Sequence, residues 1–289
     1  MSIDARSRPT AFRDPEQKGE AGLTSEQQAF YNDHGYLIVR GFLSQDQVDE
    51  IRDTFTTQAK SGFVEGLSDY HYKFAPGDPL SAWPRMLQPH RHSQLPLGPL
   101  TVDCILNPRL VAILRCLFGE DPLAAQTMFY FKPPGARGQD FHQDDFYLKT
   151  KPGNCMAAWF AIDPADPENG GLEIVPGSHR VEVKCPGQAD LTRYFANEHV
   201  DIPEGMEAIS LRMEAGDVLF FNGRVIHGSQ GNTSQDRFRR SLIAHYVPRS
   251  SLELVGWDNP TLAPDRTLIE LQTPTGGGPC GEFQPLRPH

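Results

Sequence analysis

The chain has 289 residues, a formal net charge of -10 at pH 7 and a hydrophobic content of 38%, which is enough for a sizeable core. One elaborated domain is expected, because all-β domains reach this length. The acidic balance and the absence of a Lys/Arg cluster argue against nucleic acid and against an anionic membrane surface as partners. No apolar run approaches the roughly 18 residues of a membrane span.

The cysteine pattern bears on the cellular compartment. The five cysteines form no CxxC pair and no dense framework; they are Cys104, Cys116, Cys155, Cys185 and Cys280. Such scattered cysteines are typical of reduced thiols in a cytosolic protein. The start of the chain also lacks the apolar segment of a secretion signal, so we expect a cytoplasmic location.

The N-terminal part of the sequence predicts a tail, a helix and a strand. Residues 1–23 are polar, mix proline with charge, and predict a disordered tail. Thr24 opens a short amphipathic helix, with Glu and Gln following in the first turn. The apolar run of residues 36–39 predicts a buried strand that Gly41 ends.

Two further helices flank a long segment rich in Pro, His and Gly. Ser44 caps a helix over residues 45–60, whose apolar side chains share one face. Another helix covers residues 108–118 and ends at Gly119. The segment between them, residues 61–104, predicts an irregular loop, and loops of this length usually serve as lids or binding loops.

From residue 123 onward the chain changes to short apolar runs separated by turn residues. The predicted strands cover residues 123–132, 141–148, 155–163, 171–175, 207–212, 217–222, 225–228 and 240–247. Many short strands at this spacing indicate a sandwich or barrel, and helices that precede them suit a mainly β fold with helical buttresses. We expect residues 24–289 to form a single domain, with a core over about 28–250 and a C-terminal extension over 251–289.

One predicted strand offers two metal ligands on the same face. His142 and Asp144 are separated by one residue, and residues i and i+2 of a strand point to the same side. Gln143 between them points elsewhere, or bends inward if the strand is twisted. An imidazole and a carboxylate are two members of the ligand set that holds non-haem iron(II) with coordination positions left open.

His227 is the candidate for the second imidazole of that set. It ends an apolar run that should lie on an adjacent or facing strand. The chain has ten histidines, so a chance His-x-Asp sequence is expected, and His199-Val200-Asp201 is such a sequence. It lies in a polar stretch without aromatic strand neighbours, and we interpret it as the chance match.

An arginine at the start of the last predicted strand is the candidate for cosubstrate binding. Arg239 comes twelve residues after His227 and enters a buried strand. A buried guanidinium needs an anionic partner, and a bidentate carboxylate is the natural one. A salt bridge to one of the 37 acidic residues is the alternative. Arg239 and Arg240 point to opposite faces, so only one of them can serve the site.

With these motifs in order, the chain resembles the phytanoyl-CoA dioxygenase (PhyH) family of Fe(II)/2-oxoglutarate-dependent oxygenases over most of residues 28–250. The motifs are Asp33-His34-Gly35-Tyr36, Met128 with Lys132-Pro133-Pro134, His142-Gln143-Asp144, Ala158-Trp159, Glu168-Asn169-Gly170-Gly171-Leu172, Pro176-Gly177-Ser178-His179, Gly216-Asp217, His227-Gly228-Ser229, Asn232 and Arg239-Arg240. The resemblance implies a double-stranded β-helix, a jelly-roll or cupin-like fold. It also implies Fe(II), 2-oxoglutarate as cosubstrate, and O2.

The resemblance assigns a role to each matched residue. Iron would be bound by His142, Asp144 and His227, which also form the catalytic centre. The distal carboxylate of 2-oxoglutarate would pair with Arg239 and accept a hydrogen bond from Ser229. Three more positions match cosubstrate contacts of the family; they are Met128, Gln143 and Trp159. Lys132 precedes Pro133-Pro134 and is interpreted as a turn-edge residue that could also reach a substrate, and His179 is interpreted as structural.

The expected function is a hydroxylase that oxidises a small-molecule metabolite by C–H abstraction and releases succinate and CO2. Asp144 argues against a halogenase, which needs the carboxylate position vacated for chloride. Two alternatives stay open: an acyl-CoA 2-hydroxylase of the phytanoyl-CoA type, and a cupin-like metalloenzyme that does not use 2-oxoglutarate. Only scattered basic residues are available for the phosphates of an acyl-CoA, so a smaller free metabolite is preferred.

Overall fold

The computed structural model describes residues 22–69, 74, 77–275 and 280. Residues 1–21 of the predicted tail, and with them the prediction of disorder, lie outside the described residues. Antiparallel sheets dominate the second half of the chain and form a jelly roll, which confirms the predicted fold class. Helices from the first half cover one face of it.

Helix boundaries follow the capping signals in the sequence. The described α-helices are α1 (Ser25–His34), α2 (Gln45–Lys60), α3 (Pro79–Ala82), α4 (Leu97–Ile105), α5 (Pro108–Phe118) and α6 (Asp145–Leu148). The hydroxyls of Thr24 and Ser44 each accept a hydrogen bond from the backbone N–H three residues later, and the Gln side chain at that position accepts one from the backbone N–H of the capping residue. Gly119 ends α5 in the left-handed conformation, with φ of 78°.

The strands are short, as expected for a jelly roll. In the described part of the chain they are β1 (Tyr36–Val39), β2 (Met86–Leu87), β3 (Pro122–Tyr130), β4 (Gln139–His142), β5 (Met156–Ala161), β6 (Leu172–Ile174), β7 (Gly187–Gln188), β8 (Glu198–His199), β9 (Ile209–Ser210), β10 (Val218–Asn222), β11 (His227–Ser229), β12 (Ser241–Pro248), β13 (Thr261–Leu262) and β14 (Leu268–Ile269).

Two sheets carry the fold. The larger runs in the order β1-β10-β5-β12-β3-β13-β14, with β2 also paired to β3, and the smaller runs β4-β11-β6-β9. Along the central strands the side chains alternate between two apolar clusters. On β12, Leu242, Ala244 and Tyr246 belong to the cluster beneath the helices, whereas Ile243 belongs to the cluster between the sheets. Because alternate side chains of a strand point to opposite faces, one face of the larger sheet packs against the helices and the other faces the cavity.

The helical buttresses pack on the outer face of the larger sheet. α2, α4 and α5 each contribute buried apolar side chains to the cluster on that face, among them Phe55, Ile105 and Leu114. Phe55 stacks on Phe129 of β3 with ring centroids 4.0 Å apart. Within the described residues no single helix is long and apolar enough to cross a bilayer, although α4 and α5 together, bent by 46°, satisfy that test of length and composition.

The prediction of an irregular loop over residues 61–104 is wrong in part. That segment contains α3, β2, a 3-10 helix at Pro89–Arg91 and the nine-residue helix α4. Gly98 and Pro99 suggest a break, but a proline is tolerated in the first turn of a helix. A Cβ on Gly98 would lie 2.2 Å from the backbone oxygen of His92, so the glycine serves a close approach of two chain segments.

The cysteine prediction also requires a correction. Cys185 and Cys280 form a disulfide, with their Cα atoms 5.2 Å apart, while Cys104, Cys116 and Cys155 are free thiols. The two bonded residues are 95 positions apart in the sequence. Spacing arguments detect pairs that are close in sequence, and this pair is brought together only by the way the C-terminal segment returns to the jelly roll.

Candidate metal and cosubstrate site

The two predicted histidine ligands lie directly opposite each other on neighbouring strands. His142 of β4 pairs in register with His227 of β11, and their ring centroids are 4.2 Å apart. Each Nδ1 lies within hydrogen-bond distance of a main-chain carbonyl: Asp140 O at 2.7 Å for His142 and Val225 O at 3.0 Å for His227. A carbonyl only accepts, so both Nδ1 atoms carry protons and both Nε2 atoms are available as ligands.

Asp144 joins the histidines by a different route from the one the sequence suggested. The strand predicted over residues 141–148 ends at His142, and Asp144 has helical φ and ψ of -64° and -34° at the start of α6. The helical turn brings the Asp144 carboxylate next to the ends of β4 and β11, which carry the two histidines. Its Oδ1 lies 3.7 Å from Nε2 of His142 and 3.7 Å from Nε2 of His227.

These three side chains form a compact, buried group of metal ligands. One ligand atom from each lies within 4.8 Å of the others, and all three residues are buried. Burial lowers the pKa of His227 to about 4, so its imidazole is neutral near pH 7, as a metal ligand must be. The second His-x-Asp sequence, His199-Val200-Asp201, does not join this group of ligands. His199 instead lies close to the carboxylates of Asp140 and Asp201.

Arg239 and Arg240 lie directly before β12, and their side chains point in opposite directions. Arg240 forms a salt bridge with Asp163, with Nε 2.7 Å from Oδ2. Arg239 is only 4% exposed, stacks over the Trp159 ring at 5.5 Å, and hydrogen-bonds to Gly170 O and Ser241 Oγ. No carboxylate of the described residues forms a salt bridge with it. Burial lowers its pKa to about 10, which leaves it cationic at neutral pH.

Lys132 is a functional candidate whose position the sequence did not reveal. It lies just before the turn at residues 134–135, as expected, but the residue is only 3% exposed. Its Nζ donates to Ser229 Oγ and Gln230 O, each at 2.7 Å, and to Gly170 O at 3.3 Å. Burial, and then the nearby charge of Arg239, hold the pKa of Lys132 well below its usual value. The signal in the sequence was a lysine directly after an apolar strand.

The residues matched to cosubstrate contacts divide into two groups. Met128 of β3 and Trp159 of β5 lie on either side of Ile243 of the central strand β12, and the three side chains line one cavity. Gln143 departs from the expectation of a cosubstrate contact. Its side chain donates to Arg224 O and accepts from the backbone of Lys184, and the residue is fully buried away from the cavity lining. The amide of Gln143 therefore connects two loops, and it is not among the residues that line the cavity.

The metal ligands, Arg239, Ser229 and Lys132 open into the same cavity between the two sheets. It encloses about 810 Å³ of empty space, counted out to its open mouth. The outer wall is aromatic and includes Trp83, Phe131 and Phe195. One cavity therefore joins a metal-ligand group, an anion-binding group and a largely apolar chamber.

A family model gives this arrangement its identity. The model of the phytanoyl-CoA dioxygenase (PhyH) family matches residues 31–241, most of the chain. The chain belongs to the phytanoyl-CoA dioxygenase family. Phytanoyl-CoA dioxygenase 1 of Oryza sativa is 28% identical over 261 residues, which cover 80% of this chain and 91% of the relative.

Solved structures share the fold of this PhyH-family protein at low identity. The carbocyclase SnoK from nogalamycin biosynthesis aligns with a TM-score of 0.62 at 21% identity, over 82% of this chain and 89% of that one. EctD from S. alaskensis, solved with 2-oxoglutarate and 5-hydroxyectoine, aligns with a TM-score of 0.61 at 19% identity, over 85% and 86% of the two chains.

The protein is accordingly an enzyme, an oxygenase that depends on iron, 2-oxoglutarate and O2. The donor set fits such cofactors. Two neutral imidazoles and one carboxylate are the facial ligands that non-haem iron(II) takes, with open positions left for a chelating cosubstrate. A buried guanidinium without a carboxylate partner in the described chain fits the distal carboxylate of 2-oxoglutarate.

Proposed function

We propose that this enzyme couples the oxidative decarboxylation of 2-oxoglutarate to the hydroxylation of a free small-molecule metabolite, with succinate and CO2 as the other products. His142, Asp144 and His227 hold the iron, and Arg239 with Ser229 binds the far end of 2-oxoglutarate. The observation that carries this proposal is a single cavity lined by both groups, a buried metal-ligand triad and a buried arginine.

The cosubstrate end of the cavity is built to hold one carboxylate in one orientation. Nε and Nη1 of Arg239 are engaged by Gly170 O and Ser241 Oγ, which fixes the plane of the guanidinium, and the Trp159 ring supports its face. Lys132 donates to Ser229 Oγ, so the proton of that hydroxyl is free to point at a carboxylate oxygen. The guanidinium of Arg239 and the hydroxyl of Ser229 then face the carboxylate, and the charge-assisted hydrogen bonds from a guanidinium are the strong ones.

The metal end supports hydroxylation. When bound, iron with O2 and 2-oxoglutarate supplies the oxidising power for attack on an unactivated C–H bond. Asp144 occupies the carboxylate position that a halogenase would leave open for chloride. The aromatic wall of Trp83, Phe131 and Phe195 holds an apolar part of the substrate beside the ligands and excludes water.

The charges on the outer wall favour a free metabolite over an acyl-CoA. Arg85 is paired with Asp69 at 2.8 Å, and the two side chains are 7% and 3% exposed. Arg137 is paired with Asp78 at 2.8 Å. A cation already neutralised by a carboxylate offers little to the phosphates of coenzyme A. The names of the curated relatives favour the alternative, an acyl-CoA hydroxylase, and a substrate screen separates the two.

The location and the remaining partners are part of the same proposal. The charge of -10 supports an enzyme that binds neither nucleic acid nor a membrane. The cytoplasmic location stays a prediction, and the Cys185–Cys280 disulfide weakens the thiol argument on which it was based.

The experiment is an anaerobic titration of the protein with Fe(II) and 2-oxoglutarate, followed by a screen for substrate-triggered succinate release. A weak visible absorption band that needs both additions, and that Asp144→Ala removes, supports the cofactor assignment. In the screen, free acids, alcohols and amines are compared with acyl-CoA thioesters at equal concentration. Succinate release triggered only by thioesters would replace the free metabolite with an acyl-CoA. An iron-loaded protein without the band would overturn 2-oxoglutarate as cosubstrate.

A further inference from the structure

The two oxygens of the Asp144 carboxylate face different partners. Oδ1 faces the metal position, 3.7 Å from Nε2 of both histidine ligands. Oδ2 faces the other way and lies 3.0 Å from Nε2 of His245. Asp144 and His245 are both completely buried. A carboxylate oxygen only accepts, so Nε2 of His245 carries a proton and donates it to Oδ2.

The position of His245 follows from the alternation of β12. Arg239, Ser241, Ile243 and His245 have the same parity, so all four point to the cavity side, while the intervening residues enter the helix-facing core. β12 lies between β3 and β5 in the larger sheet, with His245 opposite Gln126 on one side and Ala157 on the other. A residue at the centre of a sheet has little freedom to move, which makes it a firm support for a ligand.

The C-terminal segment adds a buried carboxylate to this support. Asp258 is 1% exposed and lies in a short 3-10 helix at Gly256–Asp258. Its Oδ1 accepts hydrogen bonds from Gln88 at 2.8 Å and from Gln126, the register partner of His245, at 3.3 Å. Burial raises the pKa of the Asp258 carboxyl to about 6, and the hydrogen bonds from Gln126 and Gln88 act against that rise. Both His245 and Asp258 lie beyond residue 241, where the family match ends.

We propose that His245 is a positioning residue that makes Asp144 a one-oxygen metal ligand, and that Asp258 of the C-terminal segment supports this arrangement by holding Gln126, the neighbour of His245 on β3. The inference rests on the proposed function, because it takes Asp144 as an iron ligand. By engaging Oδ2, the imidazole prevents the carboxylate from binding through both oxygens and keeps a coordination position open. Residues that orient ligands in this way tune a metal site without touching the metal.

The test compares four variants of the full-length protein at pH 7.5. His245→Leu removes the donor, His245→Gln replaces it with an amide donor, and Asp258→Asn removes the supporting charge. His90→Leu is the matched control, because His90 is also buried and has one side-chain contact, to Thr127 Oγ1 at 2.6 Å, away from the ligands. The readouts are the Kd for Fe(II) without oxygen, the visible band with 2-oxoglutarate, and the melting temperature.

We expect His245→Leu to weaken Fe(II) binding about 10- to 100-fold and to shift the visible band, as is typical when such an outer residue is removed. His245→Gln should restore binding to within about threefold, and Asp258→Asn should weaken it about three- to tenfold. His90→Leu should leave Fe(II) binding unchanged.

Three results would overturn the proposal. One is wild-type Fe(II) affinity and an unshifted band in His245→Leu. Another is equal weakening by His245→Leu and His90→Leu, which would reflect a loosened core. If His245→Leu fails to fold, wild-type Fe(II) affinity in Asp258→Asn overturns it. A wild-type protein that binds no Fe(II) would instead refute the proposed function, and the inference with it.

Discussion

Replacing Arg239 with methionine should abolish useful binding of 2-oxoglutarate while leaving the fold intact. The distal carboxylate would lose two charge-assisted hydrogen bonds, each worth about 1.5–3 kcal/mol. The two bonds together are worth roughly 3–6 kcal/mol. Even the lower part of that range, roughly 3–4 kcal/mol, weakens binding about 150- to 800-fold. The arginine is 4% exposed and has no carboxylate partner in the described chain, so an apolar side chain of similar length should cost the free protein little stability.

Arg240 provides the matched control for this change. It is the next residue, and its guanidinium is bound to Asp163, with contacts of 2.7 and 2.8 Å. Arg240→Met should leave the affinity for 2-oxoglutarate within about twofold. It should lower the free energy of unfolding by about 1–2 kcal/mol, because Asp163 loses its charged partner while keeping the backbone hydrogen bond from residue 240.

The assay is a titration of the visible Fe(II)–2-oxoglutarate band under anaerobic conditions, combined with urea unfolding of both variants. The result that would refute the reasoning is a reversal, in which Arg240→Met weakens 2-oxoglutarate binding and Arg239→Met does not. A loss below about fivefold for Arg239→Met would also refute it, because a bidentate pair in a buried site cannot be worth so little.

Three further predictions concern other parts of the structure. Lys132→Met should raise the KM for 2-oxoglutarate about tenfold and leave kcat within about threefold of wild type, because Ser229 loses the donor that orients its hydroxyl. Unchanged kinetics of succinate release would contradict this prediction. Burial lowers the pKa of His90 from 6.5 to about 3, so the unfolded chain takes up a proton that the folded chain refuses, and stability is lost as pH falls from 6.5 toward 3. His90→Gln should therefore gain stability relative to wild type between pH 6.5 and 4 in urea unfolding, and parallel curves would refute the assignment. Peptide mapping without reductant should link Cys185 to Cys280, and Cys280→Ser should lower the free energy of unfolding by roughly 2–4 kcal/mol; only unlinked peptides from air-exposed protein would contradict the pairing.

Local signals in the sequence were sufficient wherever the fold depends on neighbours along the chain. The capping boxes at Thr24 and Ser44 and the left-handed Gly119 marked the ends of helices, because capping satisfies backbone groups within a few residues. The extended backbone just before β12 is enough to separate Arg239 from Arg240, since strand geometry alone sends adjacent side chains to opposite faces.

Local signals failed where a residue's surroundings come from distant segments. The helix α4 was hidden because Gly98 and Pro99 look like breakers, and only the contact with His92 explains the glycine. Gln143 looked like a cosubstrate contact by its position in a motif, yet its side chain is held between Arg224 and Lys184. A motif fixes the order of residues and leaves the direction of each side chain to the packing around it.

The sequence by itself determined the chemistry available to this protein: two imidazoles, a carboxylate and a buried arginine, in the order of a PhyH-family oxygenase. Only the tertiary structure decided how those groups are supported. The pairing of His142 with His227, and the contact of Asp144 with His245 across 101 residues, depend on which strands become neighbours. Strand neighbours in a jelly roll are set by burial of both sheet faces over the whole chain, and no local pattern encodes that choice.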